Sequence, residues 1–124
     1  MPMGTEKIKV LIVDDEKEIV DFLGRFLQRL NIAAIKAYNG EEALQKFDQE
    51  HPDFIFLDIQ MPDKDGITIL KEIKKTDSAV KVIMITGKDD KDLQAKARKY
   101  GAVDYITKPL DLSELSAKIN NYIL

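Results

Sequence analysis

Short apolar runs and longer segments with helical spacing take turns along the chain. Ile8 to Val13 is apolar except for Lys9, as a buried strand requires. Glu16 to Leu30 then brings Ile19, Leu23, Phe26, Leu27 and Leu30 to one helical face. Ile32 to Ala37 predicts a second, weaker strand. Asn39-Gly40 breaks it, and Glu41-Glu42 open a helix with acids in the first turn, where the dipole favours them. That helix turns Ala43, Leu44 and Phe47 inward and ends near Glu50, before His51-Pro52. Phe54 to Leu57 is wholly apolar, which predicts a third strand covered on both faces. The loop from Gln60 to Gly66 leads to a helix with Ile67, Leu70 and Ile73 inward. Val80 to Ile85 is the fourth strand, and Asp90 to Tyr100 a polar helix that buries Leu93 and Ala97 and stops at Gly101. Val103 to Ile106 is the fifth strand. Asp111 to Ile123 closes the pattern with Leu112, Leu115, Ile119 and Tyr122 or Ile123 on one side, capped by Asp111 or Ser113.

Five strands alternating with five helices predict an α/β fold with a parallel sheet, right-handed crossovers and helices on both faces. The strand order is open at this level. In the flavodoxin-like order 2-1-3-4-5, the switch point falls between the first and third strands. Asp14-Asp15 and Asp58 end those two strands, Thr86 follows the fourth and Lys108 the fifth. The carboxyl ends of parallel strands share one edge, so all of these residues converge there.

Three carboxylates in one small site repel one another, and a hard divalent cation relieves the repulsion. Magnesium keeps several waters and takes one or two carboxylates plus a phosphate. Adjacent residues at a strand end point in different directions, so Asp14 and Asp15 have different parts, one on the metal and one acting through water. Asp58 is then the candidate nucleophile, attacking phosphorus to give an aspartyl phosphate. Lys108 supplies an ammonium, Thr86 a hydroxyl, and backbone amides after Asp58 further donors for the transferred group. An X-Pro bond is cis at modest cost, and a cis Lys108-Pro109 bond would aim Lys108 inward. Taken singly, each of these residues is also an ordinary turn or cap residue. Jointly, at the ends of four strands, they point to phosphoryl chemistry.

The remaining features narrow the field. The length of 124 residues suits one domain, 1–124, with residues 1–6 expected as a disordered lead-in. The chain is 44% hydrophobic and 33% charged, as in soluble globular proteins, and its net charge of 19 − 22 = −3 favours neither nucleic acid nor an anionic membrane. Cysteine is absent, which excludes disulfides and thiolate chemistry. Neither a signal-peptide pattern at Met1-Pro2-Met3-Gly4 nor a membrane-length apolar run is present, so a cytoplasmic location is expected. His51, the sole histidine, sits before Pro52 at the far end of the sheet and supports no catalytic triad. Asp14 to Glu18 lacks glycine, against a Rossmann-type phosphate loop.

At this point the residues resemble the receiver domain of two-component response regulators, from Lys7 to Leu124. The matching stretches are Val10 to Glu16, Asn39 to Leu44, Phe56 to Gly66, Ile85 to Gly87 and Gly101 to Pro109. The resemblance implies the 2-1-3-4-5 sheet and a phosphoacceptor that assists its own phosphorylation and dephosphorylation, rather than an enzyme. It implies Asp58 as acceptor, with Mg²⁺ (or Mn²⁺) held by Asp14, Asp15, Asp58 and the backbone carbonyl of Gln60. Thr86 and Tyr105 look like the switch pair that reports phosphorylation to the face of the fourth helix, fifth strand and fifth helix. The implied partners are a histidine kinase or histidine phosphotransfer protein, then a second copy, an output domain or a target protein. Gly87 stands where the family more often has alanine, and Gln60 and Lys88 flank the site at positions that tune phosphoryl lifetime. Two rivals remain: a phosphate-independent pseudo-receiver, and an aspartate-nucleophile phosphatase. The second needs an acid two residues after the nucleophile, where this chain has Gln60.

Overall fold

The computed structural model describes residues 7–87 and 91–124. Five strands form one parallel sheet: β1 (Lys9–Val13), β2 (Ala33–Ala37), β3 (Phe54–Asp58), β4 (Lys81–Thr86) and β5 (Asp104–Thr107), in the order β2-β1-β3-β4-β5. Five helices alternate with them: α1 (Lys17–Arg29), α2 (Gly40–Glu50), α3 (Gly66–Thr76), α4 (Lys91–Lys99) and α5 (Leu112–Tyr122). The predicted doubly wound order is the observed one.

Side chains alternate across each strand, so the apolar runs feed two separate cores. Val10, Ile12, Phe54, Phe56, Ile83 and Ile85 face α1 and α5, where they meet Leu23, Leu27, Leu115 and Ile119. Leu11, Val13, Ile55, Leu57, Val82 and Met84 face α2, α3 and α4, against Phe47, Ile67, Leu70, Ile73 and Ala97. Both layers of helices are needed because β3 is buried along its whole length.

Two expected inward residues are not inward. Leu30 is 39% exposed and Leu112 is 51% exposed. Both lie at helix ends, Leu30 as the last cap of α1 and Leu112 as the first residue of α5, beyond the reach of the sheet. Val20 and Gly24 of α1, which the helical spacing did not single out, are buried, and Val20 joins the core formed with the strands. Gln94 is buried in α4, a position that polarity alone assigns to solvent. Asp111, not Ser113, caps α5: its carboxylate accepts from the amides of Ser113 and Glu114. His51 ends α2 in the left-handed region (φ 49°) and is exposed at the opposite edge. The expected lead-in at residues 1–6, and Asp90 at the start of α4, fall outside the described residues. No helix among the described residues is long and apolar enough to cross a membrane.

Candidate functional site

Register brings the strand ends level. Val13 pairs with Ala37 and Leu57, Asp58 with Ile85, and Thr86 with Thr107. The ladder runs one residue further on each side, through Asp14 N to Ala37 O (3.2 Å), Ile59 N to Ile85 O (2.9 Å) and Lys108 N to Thr86 O (2.8 Å). Asp14, Asp58, Thr86 and Lys108 therefore share one rim as a consequence of backbone pairing.

The β3–α3 loop is drawn tightly over that rim. Gly66 N donates to Ile59 O at 2.8 Å, and Asp65 caps the helix from its first turn. A Cβ on Gly66 would collide with the carbonyl oxygen of Asp58 and lie 2.6 Å from Ile59 Cα, so only glycine allows this approach. Asp63 clasps the neighbouring helix, accepting from Gly40 N (2.8 Å) and Glu41 N (3.1 Å). The Gly40 bond chiefly holds the Asp63 carboxyl below its usual range.

Asp14 and Asp15 diverge as expected of neighbours at a strand end: Asp14 is fully buried and Asp15 exposed. Carboxylate oxygens of Asp14, Asp15 and Asp58 lie within 4.8 Å of one another. Asp14 Oδ1 accepts from Glu16 N at 2.9 Å. Asp14 Oδ2 is fully buried, and the Lys108 ammonium forms an ion pair with it at 3.0 Å. Asp58 is 3% exposed and accepts from Gln60 N at 3.2 Å. Burial first, then the charge of Asp14, push the Asp58 carboxyl up to about 7, against the pull of Lys108 and the Gln60 amide. Burial likewise raises Asp14. A buried carboxylate oxygen that meets only the Lys108 ammonium among the described residues, inside a cluster of three acids that resist ionising together, fits a small hard cation with oxygen ligands.

Lys108 follows β5, joined to Pro109 by a cis peptide bond. Its Nζ lies 2.6 Å from Glu16 Oε1 and 3.7 Å from Asp58 Oδ2. Burial works against the ammonium, but Glu16 and Asp14 more than offset it and raise its pKa. Glu16 is the residue missed by the sequence reasoning, although its signal, a third acid directly after the aspartate pair, was in plain view. The cleft above the rim is about 380 Å³ and is lined by Asp15, Glu16, Asp58, Gln60, Met61 and Lys108, among others.

Thr86 is buried at the end of β4, and Gly87 is exposed, with open space where a Cβ would stand. Tyr105 is half-buried on β5, its ring 5.2 Å from the Arg98 guanidinium of α4. Beside it, Asp104 binds Lys118 Nζ (2.6 Å), Tyr122 OH (3.1 Å) and Arg98 (3.4 Å), tying α4, β5 and α5 together. Lys88 lies outside the described residues.

Residues 10–120 match the family described as the response regulator receiver domain. The chain belongs to that family. The alkaline phosphatase synthesis transcriptional regulatory protein PhoP of Bacillus subtilis is 39% identical to this receiver over 111 residues, covering 90% of this chain and 46% of that protein. The probable transcriptional regulator ycf27 of Guillardia theta is 44% identical over 113 residues, covering 91% and 44%. The receiver thus spans about half the length of the curated relatives it matches. Among solved structures, the Francisella response regulator 1452 receiver domain superposes with a TM-score of 0.85 at 33% identity, covering 94% of this chain and 96% of that one. A two-component response regulator from Clostridium difficile gives 0.90 at 33% identity, covering 94% and 96%.

Proposed function

We propose that this receiver is a phosphorylation switch in which Asp58 accepts a phosphoryl group. The observation that carries the reading is the convergence of Asp14, Asp15, Asp58 and Lys108 on one rim of the sheet, within a receiver-family chain. An Asp58 oxygen forms a bond to phosphorus while the bond from phosphorus to the donor breaks, and the donor leaves with that electron pair. The donor is a phosphohistidine supplied in trans by a histidine kinase or histidine phosphotransfer protein, or a small acyl phosphate. The buried rim excludes water from one side of Asp58. Lys108 offsets charge on the transferred oxygens, joined by the Gln60 amide and the Thr86 hydroxyl. Asp14, Asp15, Asp58 and the Gln60 carbonyl would hold Mg²⁺ or Mn²⁺, which supplies positive charge to the incoming phosphoryl group. The same groups serve hydrolysis, so the chain assists its own phosphorylation and dephosphorylation without being an enzyme for another substrate.

Thr86 and Tyr105 form the switch pair of this reading. The hydroxyl is drawn to the new oxygens and the ring moves inward, away from Arg98, altering the face built by α4, β5 and α5. Such a change is only as large as the difference in phosphate contacts between the two states. The face then meets a target protein, an output domain or a second copy. Residues 1–124 act as one domain, in the cytoplasm, without direct contact with nucleic acid or membrane.

Intact mass after incubation with acetyl phosphate tests the reading. One added phosphate in Mg²⁺, none in EDTA and none on Asp58→Asn is the expected result. A parent that neither gains phosphate nor binds Mg²⁺ is a phosphate-blind interaction module instead.

A further inference from the structure

Lys108 is closer to a carboxylate with no part in the proposed chemistry than to the acceptor. Its Nζ lies 2.6 Å from Glu16 and 3.0 Å from Asp14, against 3.7 Å from Asp58. Glu16 reaches across 92 positions of sequence to make this bond. It occupies the N-cap position of α1, yet its side chain caps nothing there. A cap position ordinarily takes a short polar residue whose oxygen accepts from the first turn. Here the side chain is longer and turned to Lys108 instead, at the mouth of the cleft, where it is 59% exposed.

We propose that Glu16 is a positioning residue that holds Lys108 back from Asp58 in the resting protein and so slows phosphoryl uptake. The inference rests on Asp58 being the acceptor. To move from 3.7 Å off Asp58 toward an oxygen of the incoming phosphoryl group, the ammonium stretches its 2.6 Å bond to Glu16. Glu16 is one shell outside the three-acid cluster, so it competes for Lys108 without competing for the nucleophile's place. Because Glu16 is well exposed, the hold is that of a partly solvated ion pair, and releasing it changes the rate by about threefold.

Glu16→Gln keeps the length and removes the charge. It is expected to take up phosphate from acetyl phosphate about threefold faster than the parent. In the metal-free protein, the Lys108 ammonium resonance should shift and exchange faster with water. In a Lys108→Ala background, Glu16→Gln should change nothing, because the pair interaction is already gone. Glu18→Gln removes a charge from the same segment at an exposed position in the first turn of α1, and should leave the rate at the parental value. Equal uptake by Glu16→Gln and parent, with Lys108 unmoved, overturns the inference alone. So does an acceleration that survives in Lys108→Ala or is reproduced by Glu18→Gln, since either reduces Glu16 to simple repulsion of an anionic donor. A parent that takes no phosphate at Asp58 overturns the acceptor reading and this inference together.

Discussion

Replacing Asp58 by Asn is expected to stabilise the metal-free fold at neutral pH while abolishing its function. Burial and the Asp14 charge raise the Asp58 carboxyl from 3.8 to about 7. Roughly three pK units correspond to about 4 kcal/mol against the ionised form in the folded chain. Asp58 is 3% exposed, so solvent screens little of this. Relaxation of Lys108 and Asp14 around a neutral side chain leaves about 2 kcal/mol as the expected gain. Asparagine keeps an oxygen for the Gln60 amide, so no hydrogen bond needs to be lost. The pH dependence has a definite sign. Between about 4 and 7 the folded chain holds a proton at Asp58 that the unfolded chain has released. The parent therefore loses stability from this group as pH rises through that window, and above about 7 the loss is complete. Urea unfolding in EDTA at about pH 8 and pH 5 reads both features. The Asn variant should unfold at higher urea at pH 8 with an unchanged slope, and the gap should close at pH 5. A variant no more stable than the parent at pH 8, or a gap indifferent to pH, refutes the reasoning.

Two further outcomes follow from the site's construction. Mg²⁺ is expected to raise the urea midpoint of the parent by mass action, about 2.7 kcal/mol at a hundredfold excess over Kd. The effect should vanish in Asp14→Asn, and a parent indifferent to Mg²⁺ would remove the three-acid cluster as a metal site. Gly66→Ala should cost about 3 kcal/mol, since the added Cβ runs into backbone at Asp58 and Ile59 that cannot rotate away. Near-parental unfolding of this variant would show that the loop is not held where the close contacts place it.

The strands were readable because a parallel sheet covered on both faces demands unbroken apolar runs, and Val10–Val13, Phe54–Leu57 and Val82–Ile85 supply them. The rim was readable for the same reason: a polar residue ending such a run has only one place to go. Helix ends were less legible. Periodicity assigns Leu30 and Leu112 to an inner face but does not say that the sheet stops short of them. Side-chain choices between partners were hidden too. Glu16 has the look of a helix-start acid, and only the fold places it beside Lys108. Asp63 and Asp65 have the look of a polar turn, yet each caps a helix, one of them a neighbour's. Asp104 likewise gains its three partners from two helices that sequence cannot bring together.

The central claim is that Asp58, and no other acid of the cluster, carries the phosphoryl group. Borohydride reduction of the chain after acetyl phosphate and Mg²⁺ treatment converts an aspartyl phosphate to homoserine, and peptide mass spectrometry then locates it. Homoserine at position 58 alone is the predicted result. Homoserine at position 14 or 15, or at none, would contradict the account.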